Sequence, residues 1–403
     1  MLRDRAALAS MRAINAASRR TGRGSGTVAG GRVALRVSPN LLSRLSLHRA
    51  IGLVSGTNGK TTTTACLAAA LASCGEVASN ATGSNMLPGH VAALAATPGA
   101  RRAALECDEI WLTHAIAIES PSVVVLLNLS RDQLDRTAEV RRVADAWRTS
   151  LTAYRGVCVA NADDPLVVHA ALEAPRVAWF AGGLAWGDDA IACPRCARGL
   201  VFSDAAWSCA CGLARPELHA FPTDDGAVVD GETIVFDMAL PGAFNKANGV
   251  GALLAAVRMG VDASVGARAI AALDEVAGRF SSITVGDVGA RLLLAKNPAG
   301  WSALFDLVGA ETAPVVVAVN ARIADGLDTS WLYDVAFERL DGRRVIASGD
   351  RWRDLSARLF YAGIEHDCEP DVRAAIKRAG ANGDRVEAIC NYTAFAELRG
   401  VRP

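Results

Sequence analysis

Three groups of residues in this sequence have the types and spacing for chemistry. The first is SGTNGKTTTT, residues 55–64. Glycine at 56 and 59 lets a backbone turn tightly and present N–H groups to phosphate oxygens. Lys60 adds a point charge for the β and γ phosphates, and Thr61 offers a hydroxyl to Mg²⁺. Gly56, Thr57, Asn58, Gly59, Lys60, Thr61 and Thr62 are therefore read as nucleotide ligands. The standard Gly-x4-Gly-Lys-Thr spacing asks for glycine at 54, where this chain has Val54. The bland alternative is a Gly-rich turn capped by threonine.

The second group is CPRCARGLVFSDAAWSCAC, which sets Cys193, Cys196, Cys209 and Cys211 as C-x2-C and C-x-C. Two close thiolate pairs across a short hairpin suit tetrahedral Zn²⁺, and four thiolates leave no open position, so the metal would be structural. Redox pairs are the alternative, without a thioredoxin-like context to support them. The third is ADGLDTSW, residues 324–331. Asp325 and Asp328 there have no His or Cys between residues 220 and 365 to act with. Asp325-Gly326 is turn chemistry, and Asp328 can cap a helix beginning at Thr329 or Ser330. A catalytic Asp328 would need a partner from far along the chain or from another chain.

The elements around these groups read as α/β. IGLVSG is a buried strand into the loop, and TTTTACLAAALASCG is a helix stopped at Gly75. VVVLLNLS and GVCVANADDP are further strands, so a mostly parallel sheet with helices on both faces is expected. Residues 188–230 break the rhythm and read as a small β-rich insertion around the cysteines. FDMALPGAFNKANGVGALLAAVRMG returns to helix. RLLLAK, APVVVAVN, RRVIASG and EAICNYTAF are strands of a smaller α/β unit, with helices at DLSARLFYAG and PDVRAAIKRAG. The expected domains are a basic helical leader over 1–45, a central domain over 46–281 and a C-terminal domain over 282–403.

Composition bounds these readings. Of 403 residues, 51% are hydrophobic and 21% charged, enough for a sizeable core in two or three domains. The formal net charge of zero and the 5% aromatic content argue against nucleic acid as the ligand. Six of the ten cysteines are scattered among apolar neighbours and read as small buried hydrophobes in a reducing compartment, the cytoplasm. The N-terminus carries Arg3, Arg5, Arg12, Arg19, Arg20 and Arg23 with no apolar run behind them. A solvated helix packed on the next domain is favoured over contact with an anionic membrane surface. No run of about twenty apolar residues suggests a membrane span.

Several stretches together resemble the Mur ligases, which activate a carboxylate with ATP and join it to an amine. They are GTNGKTTT, then NLSRDQLDR at 128–136, NADDP at 161–165, PGAFNKANGVGA at 241–252 and GRF at 278–280, in family order over most of the chain. The resemblance implies ATP and Mg²⁺ as cofactors. It implies Lys60 and Thr61 at the triphosphate, Glu106 of LECDE as the Mg²⁺ carboxylate, Asn245 and Asn248 at adenine, and Arg279 at the phosphates. Left to themselves, Glu106 reads as a surface acid and the asparagines as helix caps.

The cysteine insertion, AKNPAGWSALF at 295–305, NARIADGLDTSWLYDVAFE at 320–338 and NYTAF at 391–395 look like the MurT branch. That branch implies a synthetase subunit paired with a GatD-type class I glutaminase. The pair amidates the D-glutamate α-carboxylate of the lipid II stem peptide. It further implies that Asp328 completes the partner's Cys-His-Asp triad, with Trp331 and Tyr333 either at the interface or in the core. Three departures from ordinary Mur ligases stand out: RVADAWRTSL has no lysine to carbamylate, Gln133 replaces a histidine, and Ala295-Lys296 replaces an acid. A stand-alone amino-acid ligase and a catalytically silent scaffold remain as alternatives.

Overall fold

The computed structural model describes residues 2–21, 27–80, 84–131, 140–184, 191–203, 206–273, 280–309, 312–323, 325–383 and 385–400. The chain folds into two compact units, Met1–Leu129 with Val140–Asp274 and Ser130–Glu139 with Glu275–Pro403.

Strand β1 (Ala50–Ser55) of the first unit has parallel neighbours on both sides. Beside it on one side are β3 (Arg102–Glu106) and β2 (Val77–Ser79). On the other side are β4 (Val123–Leu126), β5 (Val157–Asn161) and β6 (Val177–Phe180). All six pair in parallel. Both faces of these strands are buried. Ile51, Leu53, Val124 and Leu126 share one cluster, and Val54, Ala104, Val123 and Val125 share the other. That explains their near-continuous apolar runs, since a strand covered on both sides has no polar face to show.

Helices α4 (Lys60–Ala72), α9 (Ala243–Arg258) and α10 (Ala263–Ala271) supply one covering layer. The opposite layer includes α1 (Leu2–Arg20), α2 (Thr27–Val37), α3 (Leu41–Ser46) and α5 (Leu87–Ala96). It also includes α6 (Leu112–Glu119), α7 (Val140–Thr152) and α8 (Pro165–Ala171).

Strands β9 (Ala220–Thr223), β10 (Gly226–Val229) and β11 (Glu232–Val235) extend the large sheet beyond β6, with β10 antiparallel to both neighbours. Residues 220–230, which the sequence groups with the cysteine insertion, are thus part of the main sheet. The insertion's own sheet is a hairpin of β7 (Val201–Ser203) and β8 (Ala206–Ser208).

The second unit holds a six-stranded sheet. Strand β12 (Phe280–Val285) runs antiparallel along one edge of β13 (Val288–Leu294). Parallel partners follow in the order β17 (Val386–Cys390), β14 (Val315–Ala318), β15 (Val345–Ser348) and β16 (His366–Cys368). Helices α11 (Pro298–Val308) and α12 (Trp352–Tyr361) cover one face, and α13 (Val372–Ala379) and α14 (Tyr392–Leu398) the other.

Of the six scattered cysteines, Cys66, Cys107, Cys158 and Cys390 are buried as expected. Cys74 is exposed in the turn after α4, and Cys368 is half-buried on β16, the edge strand of the second sheet.

Candidate nucleotide site and metal centre

The sheet order of the first unit reverses at β1, and crevices at the carboxyl ends of such strands receive ligands. Three residues meet there: Gly56 after β1, Glu106 at the end of β3 and Asn128 just past β4. Gly56 has φ +141° and Gly59 +85°, values that side-chain-bearing residues avoid. A Cβ on Gly59 would also lie 2.7 Å from Asn248 Oδ1. Asn128 clasps the loop. Its backbone oxygen accepts from Thr57 N, its Oδ1 accepts from Asn58 N at 2.9 Å, and its Nδ2 donates to Asn58 O.

Lys60 opens α4 and is buried. Its Nζ donates to the carbonyls of Gly56 and Thr57 and to Glu109 Oε2 at 3.0 Å. Burial pushes the Glu109 carboxyl up, against the pull of Lys60. Thr61 Oγ1 donates to Glu106 Oε2 at 2.8 Å. Glu106 is buried, so it is not the surface acid that a strand end alone would suggest. A hydroxyl and a carboxylate in contact beside a phosphate loop are hard oxygen donors suited to Mg²⁺.

The backbone of Glu106 is gripped from behind. Asn80 accepts from its N–H and donates to its carbonyl, both at 2.8 Å, and His90 Nε2 lies 2.9 Å from the same carbonyl. His90 Nδ1 lies 2.7 Å from Glu119 Oε1, and both side chains are fully buried. Asn128 and Glu109 fall within NLSRDQLDR and LECDE, stretches that resemble the family's without assigning either residue a role. Asn80, His90 and Glu119 belong to no such stretch, and their positions depend on how β2, α5 and α6 pack beside β3.

Asn245 sits in the first turn of α9, whose N-cap is Gly242, so capping is not its role. Its Nδ2 donates to Pro241 O at 2.6 Å, while Oδ1 is buried without a hydrogen-bond partner among the described residues. An orphaned amide oxygen fits a missing donor such as an exocyclic amine. Asn248 follows one turn on, against Gly59. Arg279 and Gln133 lie outside the described residues.

Cys193, Cys196, Cys209 and Cys211 place all four Sγ atoms within 4.8 Å of one another. Cys193–Cys211 and Cys196–Cys209 are 3.6 and 3.5 Å apart. Thiolates on a tetrahedral Zn²⁺ stand about 3.8 Å apart, so the cage fits that ion. Two bonds tie it to the turn after β5: Trp207 Nε1 donates to Ala162 O at 3.0 Å, and Arg215 Nε donates to Asp163 Oδ1 at 2.6 Å.

In the second unit, Asp325 and Asp328 part company. Asp325 is inward and structural: Oδ1 accepts from Thr393 N at 2.9 Å and Oδ2 from Thr393 Oγ1 at 2.5 Å. Asn391 and Asn320 exchange two further bonds beside it, so the 320–328 stretch is fastened to the start of α14. Asp328 is exposed, and its Oδ1 accepts from Ser330 N at 2.8 Å ahead of a 3-10 turn, Ser330–Asp334. Those bonds hold its carboxyl below the usual range. Trp331 is buried against Trp301, whereas Tyr333 is 60% exposed. Asn297 turns inward to cap α11 through Gly300 N.

This fold and this loop define an ATP-dependent ligase of the Mur type. The Mur ligase middle domain model matches residues 54–183. A pseudomurein peptide ligase type C from Methanothermus fervidus is similar at TM-score 0.69 and 18% identity, over 90% of this chain and 80% of that one. MurF from Acinetobacter baumannii is similar at TM-score 0.67 and 15% identity, over 92% and 79%. Within that class the chain belongs to the MurT family. The MurT ligase C-terminal model matches residues 294–395. The lipid II isoglutaminyl synthase (glutamine-hydrolyzing) subunit MurT of Streptococcus pneumoniae R6 is 30% identical over 93% of this chain and 92% of its own length. The subunit of the same name from Staphylococcus aureus COL is 29% identical over 95% and 94%.

Proposed function

We propose that this chain is the ATP-consuming subunit of a glutamine-dependent amidotransferase that converts D-glutamate of the lipid II stem peptide to D-isoglutamine. The observation that carries the reading is end-to-end similarity to subunits of that name, joined to the contact of Thr61 with Glu106 beside Lys60. A carboxylate is a poor electrophile. Attack of its oxygen on the γ-phosphorus of ATP releases ADP and leaves an acyl phosphate. Ammonia then forms the C–N bond, gives up a proton, and phosphate departs with the C–O electron pair.

The protein's task in such a step is positioning and charge neutralisation. Lys60 would leave Glu109 for the phosphates. Asn245 and Asn248 would orient the base, and Arg279 is assigned to the phosphates by resemblance alone. Bound Mg²⁺, held by Thr61 and Glu106, would offset charge on the transferred phosphoryl group. The four thiolates would hold a structural Zn²⁺.

Ammonia would come from a GatD-type class I glutaminase. Asp328 is offered at the surface on a stretch fastened by Asp325, as expected of an acid that orients a histidine in another chain. The stand-alone ligase reading is weaker, because α7 (Val140–Thr152) contains no lysine. Its Arg148 is paired with Glu173.

The test is to co-purify the chain with such a glutaminase and supply lipid II, ATP, Mg²⁺ and glutamine. Amidated lipid II by mass spectrometry, absent without ATP or without the partner, is the expected result. Attachment of an amino acid without the partner would overturn it.

A further inference from the structure

Residues 1–49 contain ten arginines, no lysine and one acid, Asp4, although the whole chain balances 42 basic against 42 acidic residues. The structure turns that bias outward. In α1, Ala7 and Met11 are buried, and Arg5, Arg12 and Arg19 recur every seven residues along one exposed flank. Two turns separate each pair, so the row spans about 20 Å. In α2, Gly30, Gly31 and Ala34 face inward, and Arg32 and Arg36 face solvent. None of these five arginines has an ion pair among the described residues.

The helices are fixed rather than free. A Cβ on Gly30 would strike Asn15 and Met11 of α1, and one on Gly31 would strike the Pro88 carbonyl of α5. The one acid is already committed: Asp4 Oδ1 accepts from Ser38 Oγ at 2.7 Å and Arg44 Nη2 at 2.6 Å. That cluster gathers one end of α1, the end of α2 and α3. Three apolar side chains stand exposed close to it in sequence: Leu2 at 84%, Val37 at 37% and Leu47 at 58%.

We infer that the outer face of α1–α3 is a docking surface for an anionic lipid membrane. Arginine headgroup contacts would be joined by shallow insertion of Leu2, Val37 and Leu47. A lipid surface fits better than a nucleic-acid single strand, because residues 1–49 contain no Phe, Trp or Tyr to stack on bases, and better than a duplex because exposed Leu2, Val37 and Leu47 would find no apolar phase there. The apolar sides of α1 and α2 are used for packing, so the contact is electrostatic with a few apolar anchors, not an inserted helix. Each arginine near an anionic leaflet raises the bound-to-free ratio about five-fold. The choice of a lipid occupant rests partly on the proposed lipid-linked acceptor, which such a surface would bring to the ligase.

The experiment is co-sedimentation of the full chain with vesicles of phosphatidylglycerol and phosphatidylcholine in equal parts, against phosphatidylcholine alone. The comparison is wild type with the triple variant R5E/R12E/R19E, whose melting temperature is checked against wild type. Wild type should sediment only with the anionic vesicles and be released by high salt. The variant should lose at least about tenfold of that binding yet keep wild-type turnover on a detergent-soluble, short-chain acceptor. Equal sedimentation on both vesicles, equal binding by the variant, or retention by duplex DNA with none by vesicles would overturn the inference. Vesicle binding needs no turnover. Wild type that sediments with anionic vesicles but amidates no acceptor would remove the proposed reaction and leave the surface.

Discussion

His90 Nε2 lies 2.9 Å from the peptide oxygen of Glu106, inside a fully buried layer. A carbonyl only accepts, so Nε2 carries a proton, and Nδ1 faces the Glu119 carboxylate. Glu119 Oε2 has no hydrogen-bond partner among the described residues, so the bond from His90 to Oε1 is what holds this side chain. Removing one member of such a pair strands the other without a counter-ion. His90→Ala should cost about 3–5 kcal/mol of stability by urea unfolding. It should also raise the Mg²⁺ concentration needed for half-maximal nucleotide binding, because Glu106 loses a support. Wild-type Mg²⁺ dependence in a folded variant would confine His90 to the core.

The same pair makes stability depend on pH. Burial alone would push His90 down, but the Glu119 charge and the bonds to Glu119 and the Glu106 carbonyl outweigh it, so His90 is raised. A group raised in the folded state stabilises fully below its unfolded value of about 6.5, and that share fades as pH rises through the folded value. Wild type should therefore melt at falling temperature as pH increases above neutrality. His90→Gln should melt lower at neutral pH and show a flatter slope there. Identical slopes would mean that the pair does not titrate in this window.

Gly59 is held at φ +85° with Asn248 against it. Gly59→Ala adds both backbone strain and a clash with a residue assigned to adenine. ATP affinity by titration calorimetry should fall at least about tenfold, a loss of at least about 1.4 kcal/mol. Lys60→Ala should lower ATP-dependent amidation at least about a hundredfold. A Gly59→Ala variant that binds ATP normally would show that the loop does not close on nucleotide in this form.

Nine of the ten cysteines should divide by environment. Burial pushes the Cys66 and Cys390 thiols up to about 12, and it raises Cys107 and Cys158 as well. These four should resist a thiol reagent in the native protein, while exposed Cys74 reacts at once. Chelation should then release one zinc per chain and open the four ribbon thiols, Cys193, Cys196, Cys209 and Cys211. Ribbon thiols that react at the rate of Cys74 before chelation would mean that no metal is held.

The contiguous features were legible in the sequence. The loop at 55–64, the paired cysteines and the apolar strand runs need only local spacing. What stayed hidden depends on tertiary neighbours. His90 and Glu119 look like ordinary helix residues until α5 and α6 pack behind β3. Strands β9–β11 carry an alternation that serves a ribbon or a sheet edge equally well, and pairing beyond β6 decided for the sheet. Asp325 and Asp328 are chemically alike in the sequence. The bonds that Asp325 accepts from Thr393 and from Arg322 N distinguish the fastened acid from the exposed one.

The exposed acid, Asp328, can be tested directly. Glutamine hydrolysis should be measured for the complex of this chain with a GatD-type glutaminase, carrying either wild-type Asp328 or Asp328→Asn. The variant complex should stay assembled, with nucleotide binding unchanged, while glutamine hydrolysis falls at least about a hundredfold. Full hydrolysis by the intact Asp328→Asn complex would contradict this expectation and return Asp328 to capping the turn at Ser330.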